Sequence, residues 1–275
     1  MIYNSTTFII PLLTTILIGS IFFALIRGKK SQLIKKQKLG LKWLCLLRNL
    51  LAHIQQHRGL SSGYLNGGKE LLKEIQPLHV IITREISDIS SIGNWMENNS
   101  EWIDIIKHWK RISENYINNT AKNNLLQHNS LIQNILYLID DMALEHSLQL
   151  LLTTDKKPLH YIWRELLYAA ECIGQARAIG TGVTASGTCD SISRIRLNYL
   201  CQQVETKTSA LNQELAFFTP EKNEISYLLN CIDKNVTREV PDIKSTEFFE
   251  IASRALNSLY DQYDEIIRMQ NPQFK

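Results

Sequence analysis

The sequence predicts an all-α protein with a long apolar helix at its N-terminus. Apolar residues recur at spacings of three and four along most of the chain, as they do on one face of a helix. The stretches between these periodic segments are short and polar, which is typical of antiparallel helix bundles. A chain of 275 residues, 44% of them hydrophobic, is long enough to bury a substantial core.

The first element is an uncharged stretch of 19 residues at 8–26. As a helix it would reach roughly 28 Å, close to the hydrocarbon thickness of a bilayer. Residues 1–7 contain no Lys or Arg, which disfavours a cleaved signal peptide. We therefore expect a short N-terminal tail at 1–7 and a retained transmembrane helix at 8–26.

The second element, residues 27–42, is a basic flank. Seven positive residues follow the apolar stretch: Arg27, Lys29, Lys30, Lys35, Lys36, Lys38 and Lys42. Positive charge beside a membrane span favours the cytoplasmic side, so we predict a juxtamembrane linker at 27–42 and a cytoplasmic C-terminal domain. Removing those seven from the 30 Lys and Arg leaves 23 against 27 acidic residues, about −4. That balance disfavours a nucleic-acid partner.

The remaining composition disfavours several kinds of site. The five cysteines are scattered without a Cys-x-x-Cys pair, so we expect reduced thiols and neither a disulfide framework nor a zinc site. A glycine-rich phosphate loop, a Gly-x-Ser-x-Gly elbow and a Glu-x-x-His motif are all missing from the sequence, and we predict neither an enzyme nor a cofactor. His53 and His57, four positions apart, keep a metal-binding helical bundle as an alternative.

A weak internal repeat is the most informative feature of the soluble part. His-Arg-Gly-Leu-Ser-Ser-Gly-Tyr-Leu-Asn-Gly-Gly spans 57–68, and Ala-Arg-Ala-Ile-Gly-Thr-Gly-Val-Thr-Ala-Ser-Gly spans 176–187. Arg58 aligns with Arg177. Each arginine is followed by small and hydroxyl residues.

Both arginines are predicted to point into the core. The positions four, seven and eleven before each are apolar or small: Ile54, Leu51 and Leu47 before Arg58, and Ile173, Ala170 and Leu166 before Arg177. One turn onward, Ser62 and Thr181 continue the same two stripes. A buried guanidinium needs a partner, and residues 43–69 contain no Asp or Glu.

A bound planar anion is one way to neutralise two inward arginines, because their donor forks match such a ligand. The hydroxyls of Ser62 and Thr181 are candidate additional donors. The alternative is a carboxylate from another helix, such as Asp140, Asp141 or Glu145. These residues alone leave both possibilities open.

At these positions the sequence resembles a known family. Gln-Gln-His-Arg-Gly-Leu-Ser-Ser-Gly-Tyr-Leu at 55–65 and Gly-Gln-Ala-Arg-Ala at 174–178 resemble the two signatures of the NIT domain, the nitrate- and nitrite-sensing domain of bacterial signalling proteins. His-Asn-Ser-Leu-Ile-Gln-Asn-Ile-Leu-Tyr-Leu-Ile-Asp-Asp at 128–141 is similar to the family's central helix. The resemblance covers about 41–270.

The resemblance implies two up-and-down antiparallel four-helix bundles over 43–270, followed by a tail at 271–275. It implies that Arg58 and Arg177 hold nitrate or nitrite between helices. Because His57 adjoins Arg58, we also predict that His57 tunes this site by its charge. Arg111, in Trp-Lys-Arg at 109–111, is a looser candidate for a third cation.

A receptor of this kind would lie in a bacterial inner membrane as a single-pass protein and signal by helix rearrangement. Because we expect no fused output module, it would need an unidentified downstream signalling protein, and a homodimer is compatible with this prediction. A ligand-free helical membrane scaffold or interaction protein is the second hypothesis, and the metal-binding bundle is the third.

Overall fold

The computed structural model describes residues 6–153, 156–214 and 222–270, and it leaves the side chains of residues 6–16, 162, 212–214, 222 and 223 undescribed. The described residues contain no β-strand, only an isolated bridge between Leu152 and Pro158. Their α-helices are α1 (Thr6–Leu65), α2 (Leu72–Ser91), α3 (Asn94–Glu97), α4 (Ser100–Asn115), α5 (Ala121–Glu145), α6 (Leu159–Ser186), α7 (Ser191–Glu214), α8 (Lys222–Cys231) and α9 (Ser245–Arg268). The all-α prediction is confirmed.

Helix α1 is one uninterrupted helix of 60 residues. The sequence predicted three elements in this region, namely a transmembrane helix, a linker at 27–42 and the first bundle helix. They merge because 27–42 is rich in Lys, Leu and Gln, which favour helix, and lacks a proline that would end it. The predicted tail at 271–275 and residues 1–5 lie outside the described part of the chain.

The N-terminal part of α1 is apolar and exposed. Large apolar side chains in the described part are 49–66% exposed: Leu17, Ile18, Ile21, Phe22, Phe23, Leu25 and Ile26. Among the residues whose side chains are described, no helix is both long enough and apolar enough to cross a membrane. Positions 8–16 of the predicted span fall outside those residues.

The packed part of α1 begins near Gln37. The Gln37 side chain donates to the carbonyl of Ser147 at 3.0 Å. Gly40 lets α1 approach His146 closely, since a Cβ there would lie 2.5 Å from the His146 Cβ. Trp43 is fully buried, and its indole Nε1 donates to the carbonyl of Ile89 at 3.2 Å. These contacts tie α1 to α2 and to the end of α5.

Helices α1 and α6 form the central pair of the fold. Helix α1 packs against α2, α5 and α6, while α6 packs against α1, α7 and α9. Helix α4 packs on α5, and α8 packs on α9. The apolar stripes that the sequence predicted on α1 and α6 are buried along this contact. The contact between α1 and α6 therefore brings the two repeated segments face to face.

Candidate functional site

Arg58 and Arg177 lie on facing sides of the α1–α6 contact. Arg58 is 0% exposed and Arg177 is 2% exposed, so the predicted inward orientation of both is confirmed. Each guanidinium lies against a glycine of the opposite helix. A Cβ added at Gly174 would lie 2.8 Å from Arg58 Nη2, and one at Gly59 would lie 3.4 Å from Arg177 Nε. These glycines provide the space in which each arginine reaches across the contact.

Arg58 is paired with a carboxylate. Its Nη1 donates to Glu171 Oε1 at 2.7 Å, and its Nη2 donates to Glu171 Oε2 at 3.0 Å. Nη1 also donates to Asn129 Oδ1 on α5 at 2.7 Å. The alternative of a carboxylate from another helix therefore holds for Arg58. The partner is Glu171 of α6, not Asp140, Asp141 or Glu145.

Glu171 is at the centre of a buried hydrogen-bond network. Besides Arg58, it accepts from Gln55 Nε2 at 2.7 Å and from Gln175 Nε2 at 2.8 Å. The hydroxyl of Tyr260 on α9 donates to Gln55 Oε1 at 2.6 Å. Because the carboxylate receives four donors, the charge of Arg58 is compensated and its geometry is held firmly.

Arg177 is in a different situation. Its Nη1 donates to the hydroxyl of Ser253 at 2.8 Å, and its guanidinium lies 4.9 Å from the centre of the Phe249 ring. Its Nε and Nη2 are buried and have no hydrogen-bond partner among the described residues. Burial lowers the pKa of Arg177 to about 10, and the charge of Arg58 acts in the same direction. At neutral pH it remains a buried cation with unused donors.

A cavity of about 270 Å³ adjoins Arg177. Water occupies roughly 30 Å³ per molecule in the liquid, so the space is sufficient for a small ion with several waters. Residues of α1, α6 and α9 line the cavity: Arg48, Asn49, Ala52, His53, Gln56, Arg177, Ser253, Leu256, Asn257 and Tyr260. The lining is mostly polar and contains two guanidinium groups.

Among the lining residues that sequence reasoning missed, Arg48 is a cation. It pairs with Asp264 of α9 through Nε at 3.1 Å and through Nη2, and it lies 5.1 Å from the centre of the Tyr260 ring. The missed signal was present in the sequence. Arg48 interrupts an apolar run within the same acid-free segment, 43–69, that singled out Arg58.

The structure does not bring Ser62 or Thr181 to the cavity. Ser62 Oγ donates to the carbonyl of Ala178 at 3.0 Å, and Thr181 Oγ1 donates to the carbonyl of Arg177 at 2.7 Å. Both hydroxyl hydrogens are therefore used by the backbone of α6. A small hydroxyl residue at these positions permits close packing of α1 on α6, because neither adds bulk to the contact.

His57 does not line the cavity, and its predicted role in tuning an anion is not supported by its position. It is fully buried, with Nδ1 2.7 Å from His128 Nε2 and Nε2 3.0 Å from His79 Nε2. His128 Nδ1 lies 2.8 Å from the carbonyl of Asn124 and must donate to it. In the neutral chain, His79 therefore donates to His57 and His57 donates to His128.

The histidine chain is held in the neutral form. Burial lowers the pKa of His57 well below its usual value, and His128 and His79 lower it further. Burial lowers the pKa of His128 to about 3. Trp109 and Tyr116 pack edge-on against the His57 ring. His57 is consequently uncharged at neutral pH, so it does not carry the charge by which it was expected to tune an anion site.

Two further predictions concern Arg111 and the pair formed by His53 and His57. Arg111 is exposed on α4 and does not line the cavity beside Arg177. His53 is drawn to Glu85 of α2, with 2.9 Å between Nδ1 and Oε1, whereas His57 joins the histidine chain. Within the described residues, no group of three or more potential ligands is arranged to hold a metal ion.

No family model matches this chain, and neither a curated protein nor a solved structure does.

Proposed function

We propose that this protein is a membrane-anchored sensor that binds one small monovalent anion, nitrate or nitrite, at Arg177. The observation that carries the proposal is the state of that side chain. Arg177 is a fully buried cation with two unused nitrogen donors beside a polar cavity. A buried charge without a counter-ion raises the free energy of the protein. An anion bound in the cavity would lower it, because the anion would compensate the charge and accept hydrogen bonds from the guanidinium.

The local charge balance favours a monoanion. Glu171 compensates Arg58, and Asp264 compensates Arg48. Arg177 then remains as one positive charge that pairs with no carboxylate among the residues described, and one nitrate or nitrite would neutralise it. A dianion such as sulfate would leave a net negative charge in a buried site, so it should bind less well. This differs from the clamp formed by Arg58 and Arg177 that the sequence suggested.

The helix arrangement supports a route for the signal. The cavity lies among α1, α6 and α9, so an anion there would draw the three helices together. The packing pattern supports two four-helix bundles, α1, α2, α4 and α5 in one and α6 to α9 in the other, with the site at their junction. Helix α1 continues from this junction to the N-terminal apolar stretch without a break.

The proposed anchor is the stretch at 8–26. Its support is the row of exposed apolar residues at 17–26, followed directly by the basic cluster. In this proposal the protein crosses a bacterial inner membrane once, and the helical domain faces the cytoplasm. The signal would pass to a separate downstream protein or across a homodimer, because helix movement needs a recipient.

A titration of the purified full chain tests the ligand. Nitrate, nitrite, chloride and sulfate are compared by calorimetry and by thermal unfolding. Arg177→Ala should weaken nitrate by about 10- to 150-fold, the worth of one charge-assisted hydrogen bond, and Arg177→Lys should also weaken it because the fork is lost. Arg164→Gln is the matched control, since Arg164 is an exposed residue of the same helix paired with Asp140.

The control variant should bind nitrate as the wild type does. If Arg177→Ala and the wild type bind nitrate equally well, Arg177 is not the residue that binds the anion. If no anion changes the unfolding temperature of the wild type, the scaffold hypothesis is the better description.

A further inference from the structure

We propose that Arg48 is the second cationic ligand of the anion held by Arg177, and that Asp264 competes with this anion for Arg48. The inference rests on the proposed function and adds a ligand and a regulating carboxylate to the same site. The geometry that points to it is the cavity itself, into which α1 contributes Arg48 and α6 contributes Arg177.

One nitrogen of the Arg48 guanidinium is not engaged by Asp264. Asp264 engages Nε and Nη2 of its guanidinium, which leaves Nη1 for another acceptor. The Arg48 side chain is 15% exposed and lies over the Tyr260 ring, so it is held at the cavity wall and is only partly hydrated. A guanidinium that is already placed at the wall loses little freedom when it binds a ligand.

Arg58, which the repeat suggested, is the poorer candidate for this position. Both of its terminal nitrogens are used by Glu171 and Asn129, and it does not line the cavity. Moving Arg58 onto an anion would leave the buried carboxylate of Glu171 without its cation, which is strongly unfavourable. Asp264 is different, because its side chain is 42% exposed and water can replace Arg48.

Competition follows from the charges. The Asp264 carboxylate attracts Arg48 and repels an anion in the adjoining cavity, so it lowers anion affinity while keeping Arg48 in place. Replacing Arg48 and replacing Asp264 should therefore change the affinity for the anion in opposite directions. Arg48→Gln should weaken nitrate by about 10-fold, since one charge-assisted hydrogen bond is lost. Asp264→Asn should tighten it by about 2- to 5-fold, a modest change typical of a partly exposed charge pair.

The experiment is calorimetric titration of the full chain with sodium nitrate at constant ionic strength. Wild type, Arg48→Gln, Asp264→Asn and Arg177→Ala are compared, with circular dichroism as the check on folding. Arg48→Lys is included because it keeps the charge near Asp264 if Arg48→Gln fails to fold; it should bind nitrate less tightly than wild type. Arg254→Gln is the control, since Arg254 is an α9 residue in an exposed ion pair with Glu224 and does not line the cavity.

The outcomes separate this inference from the proposed function. Weaker binding in the Arg48 variants and tighter binding in Asp264→Asn, with Arg254→Gln unchanged, support it. If Arg177→Ala loses nitrate but both Arg48 variants bind like the wild type, Arg48 is not a ligand and the proposed function stands. Weaker binding in Asp264→Asn would mean that Asp264 positions Arg48 and does not compete. A wild type that binds no nitrate overturns both proposals.

Discussion

Glu171 on α6 accepts hydrogen bonds from both terminal nitrogens of Arg58 on α1, at 2.7 and 3.0 Å. The pair joins the two central helices of the fold in a site where Arg58 is fully buried. Arg177, the matching arginine of the repeat, pairs with no carboxylate in the described part of the chain and instead adjoins a cavity. The repeat therefore holds two arginines of similar sequence context and different roles, one structural and one available to a ligand.

Glu171→Gln should destabilise the protein strongly. The substitution keeps the shape of the side chain but leaves the buried Arg58 charge uncompensated, which should cost about 3–5 kcal/mol of unfolding free energy. Urea unfolding of the full chain measures the change. Glu165→Gln is the control, because Glu165 pairs with Lys207 at a partly exposed site and should cost about 1 kcal/mol or less. Similar losses of unfolding free energy in the two variants would show that the Arg58–Glu171 pair stabilises the fold no more than a partly exposed ion pair does.

Acid should destabilise the histidine chain. The pKa values of His57 and His128 are lowered in the folded protein, so below about pH 6.5 the unfolded chain binds more protons than the folded one. Stability is then complete above about pH 6.5 and falls as the pH decreases toward the folded pKa of about 3 for His128. The slope should reach about 1.4 kcal/mol per pH unit for each histidine.

Urea unfolding at a series of pH values measures that slope. His128→Gln should reduce the slope, because one histidine with a lowered pKa is removed. We expect this variant to be less stable than the wild type at neutral pH. His160→Gln is a useful comparison, since His160 lies outside the histidine chain and packs edge-on against Trp163. A wild-type slope that is unaltered in His128→Gln would contradict the prediction.

Gly180→Ala should be destabilising by about 1–3 kcal/mol, the range for overpacking a core. A Cβ at this position would overlap the ring of Phe248 on α9. Gly28→Ala makes the same chemical change on α1, where a Cβ would meet no described atom within 4 Å, and there alanine should be neutral or stabilising by up to about 1 kcal/mol. Thermal unfolding of both variants tests the contrast. Equal effects would mean that α6 does not need glycine for its approach to α9.

The orientation of the proposed anchor is tested with reporters fused after Lys275. Positive charge follows the apolar stretch and is missing before it, so a C-terminal reporter that works only in the cytoplasm should be active. Replacing Lys29, Lys30, Lys35 and Lys36 with Gln should reduce that activity, because the charge asymmetry is weakened. Activity of a reporter that works only in the periplasm would reverse the assignment.

Much of the fold could be predicted from residue order because helical periodicity is a local property. The stripes that end at Arg58 and Arg177 are set by spacings of three and four, and both stripes are buried. The role of glycine could not be derived in the same way. Gly63, Gly180 and Gly182 are consistent with ligand approach or with helix packing, and only the neighbours Leu71, Phe248 and Asn66 identify packing.

The sequence by itself determined the all-α class, the inward position of both arginines and the basic flank beside the apolar stretch, because each depends on residues within a few turns of one another. Only the tertiary structure decided which charges meet. Glu171 is 113 positions from Arg58, and Asp264 is 216 from Arg48. The periodicity of one helix carries no information about its register against another. Only packing therefore pairs Arg58 with Glu171, places His57 in the histidine chain, and leaves Arg177 beside the cavity with two donors that no described residue accepts.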